Sequence, residues 1–123
     1  MRTFLRSGLT GLVLLATSAG ALAQEVTVMI SGGFKAALEK LAPGYEARTG
    51  DHIVLIPGPS MGQTPQAIPN RLARGEKADV VIMVGDALAH LAKDRMVNAD
   101  SRVELADSPI GMVVKAGSPV PDI

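Results

Sequence analysis

The chain has 123 residues, with 12 lysines plus arginines against 12 aspartates plus glutamates, and 47% of its residues are hydrophobic. This composition excludes a disordered or low-complexity chain, and it lacks the basic excess that a nucleic-acid-binding surface shows. Because the sequence contains no cysteine, disulfides, thiolate metal sites and a cysteine nucleophile are excluded as well.

The first 23 residues have the pattern of a secretory signal peptide. Arg2 and Arg6 supply a positive start, an apolar stretch runs from Gly8 to Thr17, and Ala21-Leu22-Ala23 is a small-residue cleavage site. The apolar stretch is shorter than the roughly 20 residues that a membrane-spanning helix needs. We therefore expect export, and a cysteine-free exported chain favours the bacterial periplasm.

The next segments predict a buried strand followed by a helix. Val26 to Ile30 is short, apolar and rich in β-branched residues, as in a strand covered on both faces. The pair Pro43-Gly44 should kink or interrupt the following helix, and Thr49-Gly50 should end it. The apolar positions of that helix form a stripe at helical spacing, namely Phe34, Leu38, Leu41 and Tyr45.

A second strand and a glycine- and proline-rich loop come next. His52 to Ile56 predicts the strand, and Pro57 to Gln63 the loop. Thr64 is expected to cap a short helix that has Pro65 at its first position and runs to about Arg74. Pro69 should distort the first turn of that helix.

The remaining segments extend the same alternation. Ala78 to Val84 predicts a third strand, Asp86 should cap a helix over Ala87 to Lys93, and Gly111 to Lys115 predicts a fourth strand. Strands that alternate with helices imply an α/β fold with a mostly parallel sheet and flanking helices.

Three strand-to-helix loops are the candidate ligand site, because ligands of open parallel sheets bind at the carboxyl ends of the strands. The loops are Ser31 to Gly33, Gly58 to Thr64, and Gly85-Asp86. The first two combine glycine with a hydroxyl ahead of a predicted helix, an arrangement suited to a small anion. Neither contains lysine or arginine, so neutral dipoles would hold the anion. In the alternative interpretation these residues only cap helices and turn the chain.

Other chemistries match less well. Gly58-Pro59-Ser60-Met61-Gly62 satisfies the G-x-S-x-G pattern of serine hydrolases, which leaves a secreted hydrolase fragment using Ser60 as an alternative. His52 and His90 show no metal-ligand spacing, so no metal site is expected. The chain also lacks nucleotide-binding glycine motifs, so no cofactor is expected.

The segments VTVMISGGFKAALEK, PGPSMGQ and RLARGEKADVVIMVGD resemble the molybdate-type periplasmic substrate-binding proteins of ABC importers. The resemblance implies a two-lobed protein, a periplasmic binding protein of type II, that closes on an oxyanion such as molybdate, tungstate or sulfate. It further implies delivery of that ligand to an inner-membrane permease, with no catalytic activity. A sensor lobe that delivers its ligand to a membrane receptor is the remaining alternative.

The resemblance also implies domains and site residues. Residues 24–116 would be the first lobe and residues 117–123 the start of the crossover to a second lobe, before which the sequence stops. Ser60 is similar to the serine of the family's second loop, whereas the first-loop serine of the family aligns with Gly33, two positions after Ser31. The expected ligand-binding residues are Ser31, Gly32, Gly33, Ser60, Met61, Gly62 and Thr64.

Overall fold

A computed structural model of the chain describes residues 22–122. The predicted signal peptide, residues 1–23, lies almost wholly outside the described residues. Along the described part, three strands alternate with three helices, and a short 3₁₀ turn follows at Ala99–Ser101. None of the helices described there combines the length and apolar character needed to cross a bilayer.

The three strands form one parallel sheet. They are β1 (Glu25–Ile30), β2 (His52–Pro57) and β3 (Val80–Ile82), with β1 in the centre. β1 pairs with β2 along its full length and with β3 through Val28, Met29 and Ile30. The predicted fold class, an α/β lobe with a parallel sheet and flanking helices, is confirmed. β3 is shorter than the predicted strand over Ala78 to Val84.

The core lies where the central strand meets two helices. Met29 on β1 is fully buried and packs with Ile68 and Leu91, which lie on α2 (Ile68–Ala73) and α3 (Gly85–Lys93). Burial of side chains of this size contributes about 1.5–3 kcal/mol each. This packing fixes the helices against the sheet and thereby sets the positions of the loops that precede them.

The long helix α1 (Gly32–Thr49) differs from the prediction in two ways. It continues through Pro43 without a break and ends at Gly50, which has a left-handed φ of 78°. The proline removes a hydrogen bond to the carbonyl of Glu39, an exposed residue, so water can take the place of the missing donor. The predicted apolar stripe is also only partly inward, because Leu41 is 62% exposed.

The starts of α2 and α3 also differ from the prediction. α2 begins at Ile68 rather than after Thr64, since residues 64–67 form a separate turn in which the Ala67 N–H donates to the Thr64 carbonyl at 3.0 Å. Pro69 fits the first turn of this helix, where no intrahelical donor is needed. In α3, Asp86 lies within the first turn and Val84 occupies the capping position.

Residues 102–122 have no regular structure, so the predicted fourth strand over Gly111 to Lys115 is wrong. The whole segment is exposed, and no strand within residues 22–122 pairs with it. A strand needs a neighbour for its N–H and C=O groups, and β-branched residues alone do not supply one. The turn at Gly117 lies in the predicted interlobe crossover, and that domain assignment stays a prediction.

Candidate functional site

Ser31 lies at the carboxyl end of the central strand, directly before α1. Its N–H donates to the Ile82 carbonyl at 2.9 Å, which ties the loop after β1 to the end of β3. The Ser31 hydroxyl does not cap the helix, and the first turn of α1 contains no acidic side chain. The helix N-terminus therefore keeps its positive partial charge, and the hydroxyl stays available to a ligand.

Gly32 and Gly33 open the helix on the exposed side of this loop. A Cβ atom on either residue would meet no heavy atom within 4 Å. The glycines are thus not required for packing inside the lobe, and the space above their backbone is open. A ligand can approach the N–H groups of this turn without a side chain in the way.

Ser60 lies in the loop after β2 and is the one buried polar residue of the described chain, at 7% exposure. Its Oγ accepts a hydrogen bond from the Val84 N–H at 3.0 Å, just before α3. A serine hydroxyl that accepts one bond still has its own hydrogen to donate. Ser60 is therefore oriented by the protein and can act as a donor.

The loop that carries Ser60 is closed at both ends by backbone hydrogen bonds. The Gly58 N–H donates to the Ile30 carbonyl at 3.0 Å, and the Ile68 N–H donates to the Pro59 carbonyl at 2.9 Å. A Cβ atom at Gly58 would overlap the Gln66 carbonyl oxygen, so this position requires glycine. The other expected ligand residues of the loop, Met61, Gly62 and Thr64, are exposed.

The structure thus brings the predicted serines to the same edge of the sheet. Ser31 is bonded to Ile82, the last residue of β3, and Ser60 is bonded to Val84, two residues further along the chain. One part of the expectation is wrong: the loop Gly58 to Thr64 does not run directly into a helix, because α2 begins only at Ile68. The helix that Ser60 contacts instead is α3, through Val84. Whether these residues bind a ligand stays a prediction.

A groove of about 420 Å³ lies beside this edge, and it contains a cation that the sequence did not reveal. Its lining includes Ser31, Gly33 and Gly85 together with Arg102, Glu104 and Asp107, but not Ser60. An Arg102 Nη atom lies 3.5 Å from the position of a Cβ on Gly85 and 2.6 Å from Glu104 Oε1. The expectation that only neutral dipoles surround the site is therefore incomplete. No motif marks Arg102, because only the return of the chain after the 3₁₀ turn places it here.

The geometry does not fit the serine hydrolase alternative. A nucleophile elbow places the serine between a strand and the helix that follows directly, whereas Ser60 is separated from α2 by a turn. His52 is at the start of β2, the opposite end of the strand from Ser60, and pairs with Glu46 at 3.1 Å. His90 is an exposed residue of α3. Within residues 22–122, Ser60 Oγ is hydrogen-bonded to the Val84 N–H and to neither histidine.

Within residues 22–122, no three histidine, aspartate or glutamate side chains are grouped as a metal ion would require. The hydroxyl, backbone N–H and guanidinium groups at this edge of the sheet are hydrogen-bond donors that suit an anion, although the carboxylates of Glu104 and Asp107 also line the groove.

Comparison with known proteins gives two matches. Residues 26–123 match a family described as bacterial extracellular solute-binding protein. The chain is also 51% identical over 116 residues to a protein named aconitate isomerase from Pseudomonas sp, covering 92% of this chain and 44% of that relative. The chain therefore spans less than half the length of the curated relative it matches. No solved structure matches the chain.

The second match corrects the expectation about activity. The sequence was expected to have no catalytic activity, but a relative that shares half of its residues has the name of an enzyme. The expectation of a non-catalytic protein is therefore wrong. Neither match names molybdate.

Proposed function

Because the chain belongs to the bacterial extracellular solute-binding proteins, we propose that it forms one lobe of a protein that binds aconitate and interconverts its isomers. Family membership gives a small-molecule ligand and a periplasmic or secreted location. We further propose that the location is the periplasm and that a signal peptide at residues 1–23 directs the protein there. The observation that carries the proposal is the 51% identity to an aconitate isomerase across 92% of this chain.

The edge of the sheet supports an anionic ligand. The hydroxyls of Ser31 and Ser60 and the backbone at Gly33 all lie at the carboxyl ends of the strands. Hydroxyl and amide donors at a helix N-terminus suit carboxylate oxygens as well as those of inorganic oxyanions. The remaining expected residues, Gly32, Met61, Gly62 and Thr64, are proposed to line the entrance.

Arg102 favours a carboxylate over a ligand held by neutral dipoles alone. Its guanidinium can donate two parallel hydrogen bonds to one planar carboxylate. The guanidinium bonds to the carboxylate of Glu104, with Arg102 Nη2 at 2.6 Å and Nε at 3.2 Å from Oε1, and a ligand carboxylate would take the place of Glu104. Aconitate has three carboxylates, so Arg102 and Ser31, which both line the groove, can each bind part of one ligand.

An isomerisation of aconitate needs neither an oxidant nor a reductant. Conversion of cis-aconitate to trans-aconitate is balanced when a general base removes a proton from the CH₂ carbon, the double bond shifts by one carbon, and a proton is returned to the other end of the allylic system. The residues of this lobe would hold the carboxylates in place during this proton transfer. Closure of a second lobe over the groove would exclude water from the bound anion.

The test uses the full-length protein that contains this chain. We expect trans-aconitate and cis-aconitate to raise the unfolding temperature, because a ligand that binds only the folded state stabilises it. Proton NMR should show conversion of either isomer towards the same mixture. If neither isomer at millimolar concentration changes the unfolding temperature and no conversion occurs, the proposed function is wrong.

Transport of an inorganic oxyanion is the second candidate, because the family is one of solute-binding proteins and the serine donors suit it. In this case molybdate, tungstate or sulfate would give the thermal shift and aconitate would not. The partner would then be an inner-membrane ABC permease, and deletion of the gene would abolish uptake of the labelled anion. The same thermal experiment therefore separates the two candidates.

A further inference from the structure

The loop after β2, residues 58–67, has no regular secondary structure, yet side chains of α2 and its C-cap bond to its backbone between residues 62 and 66. We call residues 58–67 the binding loop. Asn70 uses its Nδ2 group twice, donating to the Gly62 carbonyl at 3.1 Å and to the Thr64 carbonyl at 2.8 Å. Both hydrogens of that amide are thereby used on the loop.

Two arginines hold the second half of the binding loop. Arg71 donates from Nε to the Gln66 carbonyl at 3.0 Å, and Arg74 donates from Nη1 to the Pro65 carbonyl at 2.6 Å. With the two bonds from Asn70, four loop carbonyls between residues 62 and 66 accept from α2 or its C-cap. Backbone carbonyls in a loop normally bond to water, so this concentration of side-chain donors is unusual.

Glu76 fixes the two arginines in turn. Its Oε2 accepts from Arg71 Nη1 at 2.8 Å, and its Oε1 accepts from Arg74 Nε at 2.9 Å. The two guanidiniums lower the pKa of the Glu76 carboxyl, so the pairs are charged at neutral pH. A side chain held at two points has less rotational freedom to lose when it binds a carbonyl.

We propose that Asn70, Arg71 and Arg74 are positioning residues that hold the binding loop in its ligand-binding conformation before the ligand arrives. This inference rests on the proposed function, because it assigns these side chains a role in anion binding through Ser60. A loop that is ordered in advance does not lose its conformational freedom on binding, so affinity increases without any further contact to the ligand.

The alternative for the arginines is direct contact with the anion, and their bonds argue against it. The Arg71 guanidinium donates hydrogen bonds to both Gln66 and Glu76, and the Arg74 guanidinium donates to both Pro65 and Glu76. Among the described residues, the Arg102 side chain bonds to Glu104 alone, whereas Arg71 and Arg74 also donate to backbone carbonyls of the loop. They act on the ligand through the loop.

The central test is Asn70→Asp in the full-length protein. Aspartate has the shape of asparagine but cannot donate, and its charge repels the two loop carbonyls. Asn70 is the third residue of α2, where an acidic side chain favours the helix, so the substitution acts on the loop rather than on helix stability. We expect calorimetry with trans-aconitate to show affinity about 10- to 100-fold weaker, a larger loss than the fall in stability measured by denaturant unfolding accounts for.

Arginine variants supply the control and the rescue. Arg74→Ala should weaken binding, whereas Arg74→Lys should restore part of it, because lysine keeps one donor for the Pro65 carbonyl. Arg48→Ala removes an arginine from the last turn of α1, at the other edge of the sheet, and should leave affinity unchanged. If Asn70→Asp binds like the wild type, or if affinity falls only in proportion to stability, the proposal is wrong.

Amide hydrogen exchange in the ligand-free protein separates this proposal from the proposed function. The amides of Gly58, Ala67 and Ile68 close the binding loop and should exchange faster in Asn70→Asp than in Arg48→Ala. If the wild type binds no aconitate, the proposed function fails and the role in binding fails with it. Unchanged exchange at these amides, with aconitate binding intact, would refute the holding role alone.

Discussion

Replacement of Ser60 by alanine is the most direct test of the site. Ser60 Oγ accepts from the Val84 N–H at 3.0 Å and has one hydrogen left for a ligand. The substitution removes both interactions without adding volume to a buried position. Ser60→Ala therefore has two separate costs, one for the fold and one for binding.

The magnitudes of the two costs differ. Loss of the neutral bond to Val84 should lower the free energy of unfolding by about 0.5–1.5 kcal/mol. Loss of a hydrogen bond to a charged ligand costs about 1.5–3 kcal/mol, or roughly 10- to 150-fold in affinity. The effect on binding should therefore exceed the effect on stability.

Both quantities can be measured on the same samples. Titration calorimetry with trans-aconitate gives the dissociation constant, and denaturant unfolding gives the free energy of unfolding. Ser118→Ala, in the exposed segment after Gly117, is the matched control and should change neither. An unchanged dissociation constant in Ser60→Ala would remove Ser60 from the site, and a loss of stability without a loss of affinity would make it purely structural.

Three further predictions concern the groove, the binding loop and acid stability. Arg102→Ala should weaken binding of trans-aconitate by about 1.5–3 kcal/mol, and Arg102→Lys should recover only part of it; equal affinity in all three proteins by calorimetry would exclude Arg102. Gly58→Ala should destabilise the fold by about 1–3 kcal/mol in denaturant unfolding, because its Cβ overlaps the Gln66 carbonyl, and wild-type stability would contradict that geometry. Because the fold lowers the pKa of Glu76, the pair with its two arginines stabilises the fold above pH 4.5 and loses this effect as the pH falls further; unfolding midpoints of Glu76→Gln should lack this acid-dependent part, and parallel pH profiles would refute it.

The sheet and the location of the site could be predicted from the sequence because local signals decide them. Val26 to Ile30 and His52 to Ile56 are compact apolar runs, and both are strands of the parallel sheet. Parallel strands then require that the loops after them meet at one edge. This rule predicts that Ser31 and Ser60 lie at the same edge of the sheet.

The features that the sequence did not predict depend on contacts between distant segments. Thr64-Pro65 has the pattern of a helix start, but the Thr64 carbonyl is taken by Asn70 and by the Ala67 N–H, which closes a turn before α2. Gly111 to Lys115 has the composition of a strand, but a strand also needs a neighbour to pair with. Arg102 reaches the groove only because the chain returns past α3.

The hydrogen bonds at the edge of the sheet make the three loops one unit. Ser31 is bonded to the end of β3, Gly58 to the end of β1, and Ser60 to the residue before α3. A ligand that bonds to either serine therefore acts on loops that the protein has already fixed relative to each other.

This mutual fixation bears on which anion the lobe prefers. Donors that are held in fixed positions cannot adjust to the ligand, so the ligand has to match their arrangement. Arg102 adds a planar fork to the Ser31 hydroxyl in the groove, and a planar fork fits a trigonal carboxylate in two parallel bonds, whereas a tetrahedral oxyanion offers a less favourable match. Because Arg102 lines the same groove as Ser31 and Gly33, the proposed ligand with carboxylates at separate positions would meet both the guanidinium and the neutral donors.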